Sequence, residues 1–201
     1  VFANSANYSN FKIKAYYSTF INNCNYSSNG GAIGVRTSGD TTELYVYNCY
    51  FKNNSSISAG GAIFVLTEPQ KYSDIYFFNC IFNGNRSNNS WGGAMYVLGD
   101  FFAPNSRSRT RIENTLFTGN RGAIGLAPGG GIADMHIRNS TFYSNGTAVI
   151  AKPWQEIYNE QNYARISLSN TVLWEPGLLF RRILSNNSPY HNLNLYRLDN
   201  C

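Results

Sequence analysis

The sequence predicts an all-β fold, a solenoid of parallel strands wound into about six coils, and three observations predict it. One word, FxxN, occurs five times: Phe20 with Asn23, Phe51 with Asn54, Phe82 with Asn85, Phe117 with Asn120 and Phe142 with Asn145. Its phenylalanines lie 31, 31, 35 and 25 residues apart. A small-residue word follows each time: Gly30 to Ile33, Gly60 to Ile63, Gly92 to Met95, Gly122 to Ile124, and the decayed Gly146 to Val149. Self-similarity at this period marks units that cannot bury their own apolar face and must stack to do so.

Upstream of each Phe from the second repeat onward lies a strand: Leu44 to Asn48, Ile75 to Asn79, Arg111 to Asn114 and His136 to Asn139. Alternation puts Leu44, Val46, Ile75, Phe77, Ile112 and Ile137 on one face, the period of two that strands show. Asn48 lies three residues before Phe51, so the parity breaks there and a corner is required. Each coil then reads as strand, Asn corner, short Phe segment, second Asn, turn, Gly-Gly-Ala strand and a return loop of variable length. Stacking at ~4.8 Å sets Phe on Phe and Asn on Asn, and a column of amides satisfies its own donors and acceptors. Hairpin meanders would show turn signals every ~8 to 12 residues instead.

After residue 174 the repeat stops. The expected domains are therefore a solenoid over 1–174 and a C-terminal cap or extension over 175–201. Within the latter, Leu178 to Leu184 is an expected amphipathic element laid over the last coil. Both solenoid ends expose unpaired strand edges, so other copies of the chain or a further domain are the expected partners there.

With 16 Lys plus Arg against 11 Asp plus Glu, the charge is mildly positive and forms no run, which argues against nucleic acid as a partner. No stretch approaches the ~18 apolar residues of a membrane span. The 13 Phe and 15 Tyr set in register argue for a packed fold despite the polar, Asn-rich composition. Sequons occur at Asn7, Asn25, Asn53, Asn54, Asn85, Asn88, Asn139, Asn145 and Asn186. Inward positions exclude some of these, leaving Asn7, Asn25, Asn53, Asn88 and Asn186 as candidate glycosylation sites.

No catalytic residue, metal ligand or cofactor site emerges. Asp40, Asp74 and Asp100 fall in successive return loops at different offsets, against the paired carboxylates that glycoside hydrolysis requires. His136 and His191 lack a carboxylate or Ser partner at motif spacing, and no CxxC or Cys/His cluster occurs. Cys49 and Cys80 occupy one repeat position in adjacent coils, as stacked free thiols or as a disulfide; Thr115, Ser140 and Thr171 continue their column. Cys24 joins no column and Cys201 is unassigned. The return loops vary most, and binding function accumulates on one side of a solenoid. Tyr72, Phe101, Phe102, Arg107, Arg109 and Trp154 are the candidate contacts there, either stacking on sugars and docking proteins or packing down on the coil below.

Asn48 to Phe51 with Asn54 and Gly60 to Ile63, and Asn79 to Phe82 with Asn85 and Gly92 to Met95, resemble the repeats of two groups of right-handed parallel β-helix proteins. One group is the chlamydial polymorphic outer membrane protein passengers; the other is the adhesin-like surface proteins of methanogenic archaea. The resemblance spans about residues 11 to 174. It implies a right-handed β-helix, an extracellular or cell-surface location, and a structural or adhesive role toward glycans or host-surface proteins. Neither motif carries catalytic residues. A carbohydrate-active β-helix enzyme and a filament or fibre subunit are the alternatives.

Overall fold

The computed structural model describes residues 2–4, 10–89, 92–99, 106–127, 131–151, 163–174, 178–182 and 194–201. Every element among them is a β-strand, and every strand pairing is parallel. Three sheets run the length of the coil stack. Face 1 has seven strands, from Phe2–Asn4 through Ile33–Thr37, Ile63–Thr67, Met95–Gly99, Ile124–Ala127 and Thr147–Ala151 to Leu178–Arg182. Face 2 has seven, from Asn10–Tyr16 through Thr41–Tyr47, Tyr72–Phe78, Arg107–Glu113, Ile132–Arg138 and Tyr163–Ser169 to Asn194–Asp199. Face 3 has six short strands, from Thr19–Ile21 to Val172–Trp174. Six coils can be traced, and the four inner ones, from Thr41 to Ala151, have a neighbour above and below on each of these faces.

The turns explain why this chain winds. Asn48, Asn79, Asn114, Asn139, Asn170 and Asn200 all hold φ between 48° and 55°, turning the chain from face 2 toward face 3. Asn tolerates this left-handed conformation better than other residues with a Cβ. The third letter of each FxxN word makes the next corner: Asn22, Asn53, Gly84, Gly119 and Ser144, with φ from 54° to 66°. Beyond it, coils approach so closely that a Cβ on Gly61 would run into the carbonyl oxygens of Gly93 and Arg86.

Inside, two ladders hold the stack. Rings of Phe20, Phe51, Phe82, Phe117 and Phe142 lie 4.7 to 5.0 Å apart and within 10° of parallel. Beside them each Asn Nδ2 donates to Oδ1 of the next coil's Asn at 2.8 to 2.9 Å, linking Asn23, Asn54, Asn85, Asn120 and Asn145. Backbone N–H groups of Asn23, Asn54, Asn85 and Asn120 donate to those same oxygens. From Asn54 onward each Nδ2 also donates to the carbonyl of the preceding coil's Phe. Four bonds per carboxamide make a buried amide column cheap.

A third column runs Ser18, Cys49, Cys80, Thr115, Ser140 and Thr171. Cys49 and Cys80 are free, buried thiols. Each group donates to the backbone carbonyl two residues earlier. Cys201 repeats the pattern toward Asp199 O, so Asp199-Asn200-Cys201 is the corner of a further coil. Leu178–Arg182 pairs with Thr147–Ala151, and Asn194–Asp199 pairs with Tyr163–Ser169. Residues after 174 thus lengthen two faces, and Leu178–Arg182 is a strand in register where an element laid across the last coil was expected.

Face 2 strands begin about three residues earlier than alternation of large apolar residues predicts. The extra inward positions are filled by Thr42, Ser73, Ser108, Ala133 and Ala164, all buried. Ser73 Oγ donates to Ser108 Oγ at 2.9 Å and lies 2.6 Å from Oγ1 of Thr67 on face 1. Small polar residues therefore serve as core here, and Tyr72, Asp74, Arg107 and Arg109 belong to strands where return loops were expected.

Candidate functional site

The three faces differ on their outer sides. Outside face 1, Ala59, Phe64, Tyr96, Leu98 and Ala127 form a second buried apolar cluster with Leu66 packed against it. Met95–Gly99 is buried at every position. Strands buried on both sides read as near-continuous apolar runs, as this one does. Face 3 strands are only three residues long. Face 2 is the long sheet whose outward residues, Asp134 apart, stay accessible, in the repeating pattern of its Thr41–Tyr47 and Arg107–Glu113 strands.

Register sorts the outward side chains of face 2 into columns. One reads Lys12, Glu43, Asp74, Arg109, Asp134, Arg165; the next reads Lys14, Tyr45, Tyr76, Arg111, His136, Ser167; a third reads Tyr16, Tyr47, Phe78, Glu113, Arg138, Ser169. The lower coils are therefore aromatic and the upper ones cationic. Tyr45 and Tyr76 stack at 4.8 Å and 4°, and Tyr16 and Tyr47 at 5.4 Å and 30°. Each of these four rings thus has one face on its stacked partner. Lys12 Nζ lies 5.3 Å from the Tyr45 ring centroid, and the Arg111 guanidinium lies 5.4 Å from that of Tyr76.

Of the six contacts expected from the sequence, the structure brings three together. Tyr72 is the register partner of Arg107, and Asp74 that of Arg109, on adjacent strands of face 2. Phe101, Phe102 and Trp154 lie outside the described residues, as do Asn7 and Asn186. Among the other sequon residues, Asn53 and Asn88 are exposed and Asn25 is half-buried, its Oδ1 accepting from the Ser27 and Ser28 amides. Asn54, Asn85 and Asn145 are buried in the ladder.

Two arrangements went unforeseen. Glu43 and Asp74 are register neighbours, a carboxylate pair that the expected loop placement of Asp74 hid. Glu43 accepts from Lys12 Nζ at 2.8 Å and Tyr45 Oη at 2.7 Å. These bonds lower its carboxyl below the ordinary range, and the Tyr45 phenol is pushed up to about 12, mainly by the same bond. Glu43 is thus held ionised and offers no proton to a leaving group, which acid catalysis of glycoside cleavage needs. The second is a Ser partner for His136: Ser167 Oγ lies 2.6 Å from its Nδ1, supplied by the next coil.

Around that pair lies a groove of about 260 Å3, lined by Arg111, Glu113, His136, Ile137, Arg138, Ser167 and Ser169. Partial burial, then the nearby Arg165, Arg111 and Arg109, hold the imidazole below its ordinary pKa against the pull of Asp134. Asp134 is itself buried, engaged by Arg107 at 3.3 Å and Arg165 at 3.0 Å. Among the described residues, neither Arg111 nor Arg138 makes an ion pair within 4.0 Å, and no group of three His, Cys, Asp or Glu is arranged to hold a metal.

Stacked ladders within and one open, patterned sheet outside define a parallel β-solenoid repeat protein suited to displaying a surface. Within that class the chain is similar to the Chlamydia polymorphic membrane protein repeat, whose family model matches residues 48–66. That segment holds the Asn48 corner, Cys49, Phe51 and Asn54 of the ladders, and Gly60 to Ile63, the parts the other coils repeat in register. The match agrees with the chlamydial resemblance read from the sequence. No curated protein and no solved structure matches the chain.

Proposed function

We propose that this chain is a non-catalytic module displayed at the outer membrane or cell surface, where the solenoid holds face 2 out as a rigid adhesive plane. The contrast between faces supports this reading: face 1 carries a buried outer cluster, whereas six strands of face 2, from Asn10–Tyr16 to Tyr163–Ser169, present aligned cationic and aromatic columns. The matched repeat belongs to a family of membrane proteins, which supports the location. No helix among the described residues is long and apolar enough to cross a membrane. Glu43, held ionised by Lys12 and Tyr45, favours binding over acid-catalysed hydrolysis. The direct test couples the chain to beads and measures capture by host-type cell surfaces. The parent should adhere, and Tyr72→Ala with Arg107→Ala and Arg109→Ala should adhere less at unchanged strand content; a parent that fails to adhere overturns the adhesive reading.

A second reading, end-to-end association with copies of itself or a further domain, is favoured by the first coil. Asn23 is exposed where Asn54 and Asn85 are fully buried, and Ile13, Ala15 and Phe20 are only partly buried. Sedimentation velocity and electron micrographs across a concentration series would reveal such polymers.

A further inference from the structure

We propose that the groove over Arg111, His136, Arg138 and Ser167 is a binding site for an acidic polysaccharide, one bearing sulfate or carboxylate groups. The proposal rests on the surface-adhesive reading above and names the ligand class of that face.

Charge, geometry and the use already made of neighbouring groups each point this way. Arg111 and Arg138 line the groove without an ion pair among the described residues, whereas Arg107 and Arg165 are engaged by Asp134. Free guanidinium forks match carboxylate and sulfate oxygens with paired hydrogen bonds. Arg111 lies over the Tyr76 ring, which restrains it and leaves the edges of its planar group as donors. His136 lies between Arg111 on the strand below and Ser167 on the strand above, and His136 and Ser167 are neutral hydrogen-bonding groups of the kind that hold sugar hydroxyls. Arg111 and Arg138 stand on adjacent strands, ~4.8 Å apart in the stacking direction, so the site presents one cation, unpaired among the described residues, on each of two successive coils to a chain with recurring charges. Arg109 and Arg165 border the same site one column away.

The aromatic rings decide against two other ligands. Single-stranded nucleic acid binds grooves in which successive bases stack on open ring faces. Neutral sugars likewise need an exposed ring face. Tyr45 stacks on Tyr76 and Tyr16 on Tyr47 in neighbouring columns, and Lys12 and Arg111 lie over the Tyr45 and Tyr76 rings. Glu113 is the one carboxylate in the lining and opposes an anion, so its removal should improve the site.

The test uses the full chain with dextran sulfate, polygalacturonate, uncharged dextran, free sulfate ion and a single-stranded oligonucleotide, read by calorimetry and affinity electrophoresis. Expected is binding of one or both acidic polysaccharides and not of dextran, weakened by about tenfold in Arg111→Ala with Arg138→Ala and strengthened in Glu113→Gln, with loss on raising salt. Lys12→Ala with Lys14→Ala removes the same charge from the lower coils and should change binding less than twofold. Equal loss in both double variants, tighter binding of the oligonucleotide, or saturation by free sulfate at the same concentration as by polysaccharide overturns the proposal. Cell-surface capture by the parent that survives unchanged in the Arg111, Arg138 double variant overturns this site while leaving the adhesive reading; absence of capture by the parent overturns that reading and not the polysaccharide result.

Discussion

The carboxamide oxygen of Asn85 accepts two hydrogen bonds from Asn54, one from its backbone N–H and one from its Nδ2, each 2.9 Å long. Asn85 Nδ2 in turn donates to Asn120 Oδ1 and Phe51 O. Replacing it with Ala strands two donors of Asn54 in a dry interior and takes a bond from Phe51 O, while Asn120 Oδ1 keeps the backbone N–H of residue 85; unpaired buried groups cost ~1 to 3 kcal/mol each before relaxation. Asn85→Ala should therefore destabilise by at least ~3 kcal/mol. Asn23→Ala, at the exposed end of the same column, should cost under ~1 kcal/mol. Urea unfolding of both variants checks the gradient, and equal losses would show that the ladder does not carry the stability of the inner coils.

The Phe column makes a parallel case from packing. Phe82 is fully buried, stacked on Phe51 and Phe117 and met edge-on by Phe77 at 5.7 Å. Removing a ring from so regular a stack leaves a cavity that neighbours, themselves fixed by strand register, cannot fill. Phe82→Ala should cost ~3 to 5 kcal/mol and Phe82→Leu distinctly less. The Leu variant has a natural counterpart, because Leu173 stands above Phe142 in the same column.

These ladders were legible in the sequence because they repeat one large or one amide residue at fixed spacing, and the αL corner at Asn48 was legible from broken parity. Other features escaped for physical reasons. The first halves of the face 2 strands point Thr42, Ser73 and Ser108 inward, and hydroxyls that bond one another give no hydropathy signal. The outer burial of Phe64, Tyr96 and Leu98 depends on what packs outside face 1, which strand alternation does not report. The groove joins Arg111, His136 and Ser167 from three coils, so it exists only once coils are aligned. That alignment was available for Arg111 and His136, but outward positions carry no periodicity that would single them out. Asp199-Asn200-Cys201 did hold a readable signal, the same corner as Tyr47-Asn48-Cys49.

The thiol column gives a prediction in pH. Burial pushes the Cys80 thiol up to about 11, and Cys49 is raised by the same cause. A group whose native pKa exceeds its unfolded value near 9 contributes stability that is complete below pH 9 and is lost as pH climbs toward 11. Cys80→Ser should therefore flatten the alkaline limb of the stability profile, with ~3 kcal/mol the largest effect expected from two pKa units. In alkylation with iodoacetamide at pH 8, Cys24 and Cys201, both exposed, should label in the native chain, whereas Cys49 and Cys80 should label only on unfolding. Mass spectrometry of the labelled peptides decides, and native labelling of Cys80 would contradict its place in the column.

His136 supplies the corresponding test on the acid side. It is faced by Asp134 and Arg138 on its own strand, by Arg109, Arg111 and Glu113 on the strand below, and by Arg165 and Ser167 on the strand above. Partial burial lowers its pKa first, the three arginines Arg165, Arg111 and Arg109 lower it further, and Asp134 opposes them. With the native value below the ordinary 6.5, the neutral imidazole is the native form, and its contribution to stability holds above pH 6.5 and declines as pH falls through the native value. The ring Cε1–H resonance should thus titrate below pH 6.5 in the parent and move upward in Arg111→Ala, which removes one of the opposing charges. A polyanion seated in the groove neutralises the same arginines, so dextran sulfate should raise the midpoint in the parent and raise it less in Arg111→Ala with Arg138→Ala. A midpoint that ignores the polyanion would show that the acidic chain binds elsewhere on the protein.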